Sequence, residues 1–207
     1  MDFRDPLSLL GPSATVGVVR ALLESPGLPL SGREVARRAD LSPRGAQLAL
    51  APLVEAGLVD KVTLPPAQGF MLNLDHVSAE GLRTLANPGG VLMDRIAAVV
   101  AQWRPQAVSV VLFGSFARGE AGPDSDVDLL VVRPASLDAL DPVWERNVGD
   151  LERSVGRWTG NRAEVIEYSV EELKERDAAD APFLRAVIAE GLTVAGKPFR
   201  TLLRSAA

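Results

Sequence analysis

Residues 112–132, LFGSFARGEAGPDSDVDLLVV, decide how this chain is read. An apolar run enters a turn at Gly114-Ser115, and Asp124, Asp126 and Asp128 then lead into Leu-Leu-Val-Val. Upstream, AVSVVLF at 107–113 is continuous, β-branched and of strand length, the pattern of a strand covered on both faces. A strand-to-helix turn built on glycine leaves backbone N–H groups open to an anion. Ser115 adds a hydroxyl, and Arg118 lies one turn on in FARGEA, which suits a short helix and brings a guanidinium to the same anion. Side chains alternate along a strand, so Asp126 and Asp128 share a face about 7 Å apart. Two unneutralised carboxylates there cost stability, and a divalent cation reverses that sign. Magnesium takes oxygen ligands, commonly a few carboxylates plus substrate phosphates. The stretch therefore reads as a site for a magnesium–nucleoside triphosphate.

Two plainer readings compete. Asp124, Asp126 and Asp128 imitate the start of a calcium loop, but its sixth and twelfth positions, which need Gly and Glu, hold Leu129 and Ala135. A solvated acidic turn accounts for Asp124 and Ser125. It leaves unexplained why Asp126 and Asp128 share a face directly against a hydrophobic strand.

Gly-Ser, ten residues, then Asp-x-Asp resembles the signature of the DNA polymerase beta-like nucleotidyltransferases, more closely the minimal nucleotidyltransferases of bacteria and archaea. The resemblance runs from about residue 91 to residue 200, and GSFARGEAGPDSDVDLLV follows the motif almost residue for residue. It implies a short mixed sheet flanked by helices, and transfer of a nucleotidyl group, usually AMP from ATP, to a hydroxyl with release of pyrophosphate. Carried over, Gly114 and Ser115 bind triphosphate with Arg118 in reach, and Asp126 and Asp128 hold two magnesium ions. The family's third carboxylate sits on a neighbouring strand. RAEVIEY at 162–168 alternates like one, and Glu164 lines up best with a position where relatives commonly carry Asp. Glu167 is the alternative; it points to the opposite face, so the two cannot serve together.

The first half has a different pattern. TVGVVRALLE at 15–24 has helical spacing, and Ser31 with Glu34 forms a capping box for a second helix. Ser42 caps a third helix with Pro43 at its first position, running through Leu48, Leu50, Leu53 and Val54 to Gly57. LVDKV and FMLNL around TLPPAQG read as a hairpin. Over residues 13–75 this order resembles bacterial winged helix-turn-helix domains. The resemblance implies a recognition helix at 43–56, with Ser42, Arg44 and Gln47 toward base edges and Arg33, Arg37, Arg38 and Lys61 toward phosphates. A small helical bundle for dimerisation or substrate contact, with solvated arginines, is the simpler alternative.

Asn87-Pro88-Gly89-Gly90 marks the boundary, with a new amphipathic pattern from Val91. The expected architecture is α+β: a winged helix-turn-helix domain over 1–88 and a nucleotidyltransferase fold over 89–207. Acidic residues at 138–152 read as the solvated face of a helix over roughly 138–157, and VEELKERDAAD as a capped acidic helix before one started by Pro182 and stopped by Gly191.

The totals exclude several classes. The chain has 207 residues, no cysteine and a single histidine, His76, so disulfide frameworks, thiolate zinc sites and histidine triads have nothing to build on. Net charge is −5, and residues 96–207 carry 13 basic and 17 acidic residues, against 9 and 10 in residues 1–95. Any DNA contact must then come from a local patch. No run of 18 apolar residues occurs, and the leading apolar stretch lacks a basic leader and is broken at Gly11, Pro12 and Ser13, so a cytoplasmic protein without membrane contact is expected. The expected partners are a nucleoside triphosphate, double-stranded DNA, a protein acceptor such as a partner toxin, and a second copy of the chain. A regulator that only senses nucleotide and an aminoglycoside-type nucleotidyltransferase are the competing functions.

Overall fold

The computed structural model describes residues 1–11, 13–175 and 182–204. Residues 176–181, where the acidic helix was expected to continue, lie outside the described residues, as does Pro12. The chain divides into two compact units, residues 5–88 and residues 89–207 together with 1–4. Among the described residues no helix is long and apolar enough to cross a membrane.

Serine caps organise the first unit. Ser13 caps α1 (Ala14–Leu23), Ser31 caps α2 (Gly32–Arg38) and Ser42 caps α3 (Pro43–Glu55), each hydroxyl accepting a backbone N–H three residues on. A short β1 (Leu30–Ser31) precedes α2, β2 (Val59–Leu64) and β3 (Ala67–Leu72) form a hairpin, and α4 (Ala79–Ala86) follows. The sheet order is β1-β3-β2, antiparallel throughout. Leu64 pairs with Ala67, which leaves Pro65-Pro66 as a two-residue turn and makes both strands longer than the apolar runs suggested. Val18, Leu22, Val35, Leu50, Val59 and Leu72 form the core. Leu48 is not part of it: Ala46, Ala49 and Leu50 set the inward phase of α3, and Leu48 is 67% exposed.

α5 (Pro88–Val100), all but its first residue in the second unit, starts three residues earlier than Val91. Proline fits a first helical turn because its missing N–H would have no partner there, so Pro88 starts the helix instead of merely interrupting the chain. There follow β4 (Ser109–Phe113), α6 (Gly114–Ala117), β5 (Val127–Arg133), α7 (Pro142–Thr159), β6 (Ala163–Ser169), α8 (Val170–Glu175), α9 (Pro182–Glu190), β7 (Leu192–Gly196) and α10 (Phe199–Arg204). The strands form one mixed sheet in the order β6-β5-β4-β7, with β5 and β6 parallel and the other neighbours antiparallel. The unit is therefore α+β.

Both faces of this sheet are covered. Val110, Leu112, Leu129 and Val131 pack with Ile96, Trp144 and Leu151 on one side. Val111, Phe113, Leu130 and Val132 pack with Leu184, Val187 and Phe199 on the other. That explains the unbroken apolar runs of β4 and β5. The helix expected from 138 starts at Pro142. Asp141 does not lie on its solvated face but caps it, accepting from the N–H groups of Val143 and Trp144 at 2.9 Å each.

Candidate active site

Antiparallel pairing sets Phe113, the last residue of β4, opposite Asp128 near the start of β5. Gly114, the next residue, has φ 68 and sits directly over the Asp128 carboxylate. A Cβ placed there would lie 2.1 Å from Asp128 Oδ2 and 3.1 Å from its Cγ. Position 114 therefore demands glycine twice, for its left-handed backbone and for the space the carboxylate occupies. Ser115 follows within α6, whose first N–H groups have no intrahelical carbonyl to bond.

The parallel register of β5 and β6 sets Asp128 beside Glu164, and Val131 beside Glu167. Asp128 and Glu164 fall on the face that Leu130, Val132 and Ile166 line farther along the strands. Glu167 is on the other face, where the Trp144 indole N–H donates to its carboxylate. Of the two glutamates, register thus brings Glu164 and not Glu167 to Asp128. Asp126 stands one residue before β5.

Charge is unbalanced at this corner. Burial pushes the Asp128 carboxyl above its ordinary pKa, and the nearby charges of Glu164 and Asp126 push it further, with Arg118 opposing. Arg118 is not an open anion hook: its guanidinium donates to Glu120 at 2.7 Å and to Glu190 at 2.6 Å. Sequence reasoning missed Glu190, whose link to Arg118 spans 72 residues. Among the described residues no three His, Cys, Asp or Glu side chains converge into a ready-made metal cluster. An all-oxygen donor set with excess negative charge nevertheless suits a hard divalent cation that completes its shell with water and phosphate.

The raised Asp128 value has a sign that can be measured. Folding favours the protonated acid, so this contribution is fully present below the ordinary carboxylate pKa and is lost as pH rises through the raised folded value. Without divalent cation, Asp128→Asn should therefore raise the melting midpoint of this unit at pH 7.5 by roughly 1–3 °C, the gain fading toward acid pH. A lower midpoint for the variant at pH 7.5 would contradict the repulsion.

In the first unit, Arg33, Gln47 and Lys61 line a cavity of about 570 Å³ floored by Leu50 and Phe70. Arg44 is exposed in the first turn of α3. The Ser42 hydroxyl is already used as the helix cap, accepting from Gly45 N–H at 3.1 Å. Arg37 is tied, with Arg38, to Glu34, and those hydrogen bonds hold the Glu34 carboxyl down at about 2.

Residues 93–186 match the sequence model of the nucleotidyltransferase domain family. Bifunctional uridylyltransferase/uridylyl-removing enzymes of Burkholderia mallei and Burkholderia thailandensis are 31% identical to this chain over 103 residues, 49% of this chain and 12% of theirs. The chain thus matches only a small part of those relatives' length. A crystal structure of a toxin–antitoxin with AMP-PNP superimposes with a TM-score of 0.39 at 17% identity, over 55% of this chain and 82% of that one. A crystal structure of a toxin–antitoxin MntA–HpeT mutant gives 0.40 at 14% identity with the same coverage.

Proposed function

We propose, on the premise that residues 93–186 carry a nucleotidyltransferase domain, that the chain moves a nucleotidyl group from a nucleoside triphosphate to an acceptor hydroxyl, releasing pyrophosphate. The observation that carries this reading is the corner where Gly114 meets the Asp128 carboxylate with Glu164 in register beside it. Gly114 and Ser115 offer N–H groups and a hydroxyl to the triphosphate. Asp126 and Asp128, with Glu164, would hold magnesium. When bound, the metal supplies neutralisation of the phosphate charge and a lower pKa for the attacking hydroxyl. Glu164 accepts that hydroxyl's proton, its exposed position leaving room for an acceptor. Arg118 must exchange Glu120 or Glu190 for phosphate to take part, which makes it responsive to ligand. Most of the rate gain comes from holding the hydroxyl in line with the α-phosphate.

ATP is the proposed donor, on the resemblance of the Gly-Ser and Asp-x-Asp motif to minimal nucleotidyltransferases; UTP is the competitor, as the likeness to uridylyltransferases suggests. A protein hydroxyl is the proposed acceptor. Incubation with α-labelled ATP or UTP, magnesium and cell extract should label a protein band. Label confined to small molecules would transfer the reading to a small-molecule enzyme, and no label in any fraction would reject it. A nucleotide-sensing regulator is the second reading, favoured by the ion-paired Arg118 and the unconverged carboxylates.

The first unit is proposed to be a winged helix that binds double-stranded DNA. The order α1-β1-α2-α3-β2-β3 and the cations Arg33, Arg44 and Lys61 support it. Arg44→Ala should weaken DNA affinity by about 1–3 kcal/mol, and more than Arg37→Ala because Glu34 already holds Arg37. Affinity indifferent to both Arg44→Ala and salt would reject the assignment. Homodimerisation through this unit is part of the same proposal.

A further inference from the structure

We propose that Asn161 is the positioning residue that ties the loop bearing Asp126 to the strand bearing Glu164, and so sets the spacing of the carboxylates; the inference rests on reading that corner as a metal–nucleotide site. Asn161 lies between Gly160, the left-handed cap of α7, and β6, three residues before Glu164. Its side chain is buried, with the residue only 3% exposed. The amide Nδ2 donates to the carbonyls of Gly122 at 3.0 Å, Pro123 at 3.2 Å and Ser125 at 2.9 Å. Its Oδ1 accepts from the Met1 nitrogen at 2.8 Å, which fixes which end of the amide faces the loop.

The clamp is itself held from behind. Thr159 Oγ1 donates to Val155 O within α7 at 2.8 Å and accepts the Asn161 backbone N–H at 3.0 Å. On the loop side, Gly122 N–H donates to Ser125 Oγ at 2.9 Å and Ser125 N–H returns to Gly122 O at 3.1 Å. Val127 N–H then donates to Arg162 O at 2.8 Å, where β5 begins to pair with β6. The chain runs from clamped Ser125 straight into Asp126.

The need for such a tether follows from charge. The negative charges of Asp126 and Glu164 both bear on Asp128, so an untethered loop would swing Asp126 away whenever no cation is bound. An amide provides only two N–H protons, which three carbonyls share, and adds no charge. A lysine or arginine at 161 would also bind carbonyls, but its charge would pair with the carboxylates and compete with the cation.

The test compares wild type with Asn161→Asp, Ser125→Ala and Asp128→Asn. It reads Mn²⁺ affinity in the presence of a nonhydrolysable ATP analogue, amide hydrogen exchange over 122–127, and exchange in the cores of β4 and α7 as the control for folding. Asn161→Asp keeps the shape but replaces the donor with an acceptor. It should weaken Mn²⁺ about 10–100-fold and speed exchange at Ser125, Asp126 and Val127 about tenfold, with β4 and α7 still protected. Ser125→Ala, which removes one loop bond only, should move both readouts about threefold the same way. A folded Asn161→Asp protein with wild-type affinity and exchange overturns the proposal. If Asn161→Asp loses core protection, a further variant, Asn161→Ser, which withdraws the amide donor without adding charge, decides in its place, and wild-type affinity and exchange there overturn the proposal. Wild type that takes up no Mn²⁺, or Asp128→Asn that binds as tightly as wild type, instead brings down the reading of the site, and the positioning role with it.

Discussion

Asp128→Ala is expected to lower nucleotidyl transfer by about 10³-fold or more, measured as pyrophosphate release at saturating nucleotide and magnesium. The size follows from position. Asp128 is the carboxylate that faces the Gly114 turn, and Asp126 and Glu164 both act on it electrostatically. Its removal deletes a proposed oxygen ligand and also empties the space under the turn. Asp126→Ala should lose a comparable factor. Glu164→Gln keeps the shape and removes the proposed base, so on that proposal the loss should appear in kcat with KM for nucleotide little changed. Glu167→Gln should stay within a few-fold, because Glu167 serves Trp144 on the far face of the sheet. A Glu167→Gln protein as inactive as Asp128→Ala would mean that the register has been assigned the wrong role.

Gly114→Ala should be nearly as damaging, by about 10²-fold in transfer, with roughly 1–3 kcal/mol lost from stability. Two costs combine: a side chain at φ 68, and a methyl group 2.1 Å from a carboxylate oxygen. Gly119 separates them. It has φ 72 but nothing within 4 Å of its would-be Cβ, so Gly119→Ala should show the backbone cost with transfer within a few-fold of wild type. Because the clash at 114 needs the Asp128 side chain, Gly114→Ala combined with Asp128→Ala should be less destabilised than the sum of the single changes. Strict additivity in thermal melts would mean that the two residues do not touch in solution.

What could be read from sequence was local. Ser31 with Glu34, and Ser42 before Pro43, are cap signals spelled within four residues, and α2 and α3 begin where they say. The buried run at β4 and the alternating aspartates are equally local patterns. Asp141-Pro142 was a signal of the same kind, and it would have set the start of α7 correctly had the acidic residues around it not been read as one solvated face. Which apolar residues of α3 face inward was not legible: Leu48 and Leu50 are equally apolar in the sequence, yet Leu50 is buried and Leu48 exposed. β7 offers only LTVAG, an edge strand with Leu192 and Thr193 exposed, too weak in pattern to stand out. The site was half legible. The opposite facing of Glu164 and Glu167 follows from alternation alone, but which of them meets Asp128 depends on the pairing of β5 with β6, which no local pattern encodes. The same limit hid the Glu190 partner of Arg118 and the carbonyls gathered by Asn161, all more than 35 residues away in the chain.

The most direct test is a crystal structure of the protein with magnesium and an ATP analogue that cannot be cleaved between its α- and β-phosphates. The triphosphate is expected to rest on the Gly114-Ser115 turn, with magnesium between it and the carboxylates of Asp126 and Asp128. Nucleotide bound elsewhere, or bound with those two carboxylates turned from the metal, would contradict this arrangement.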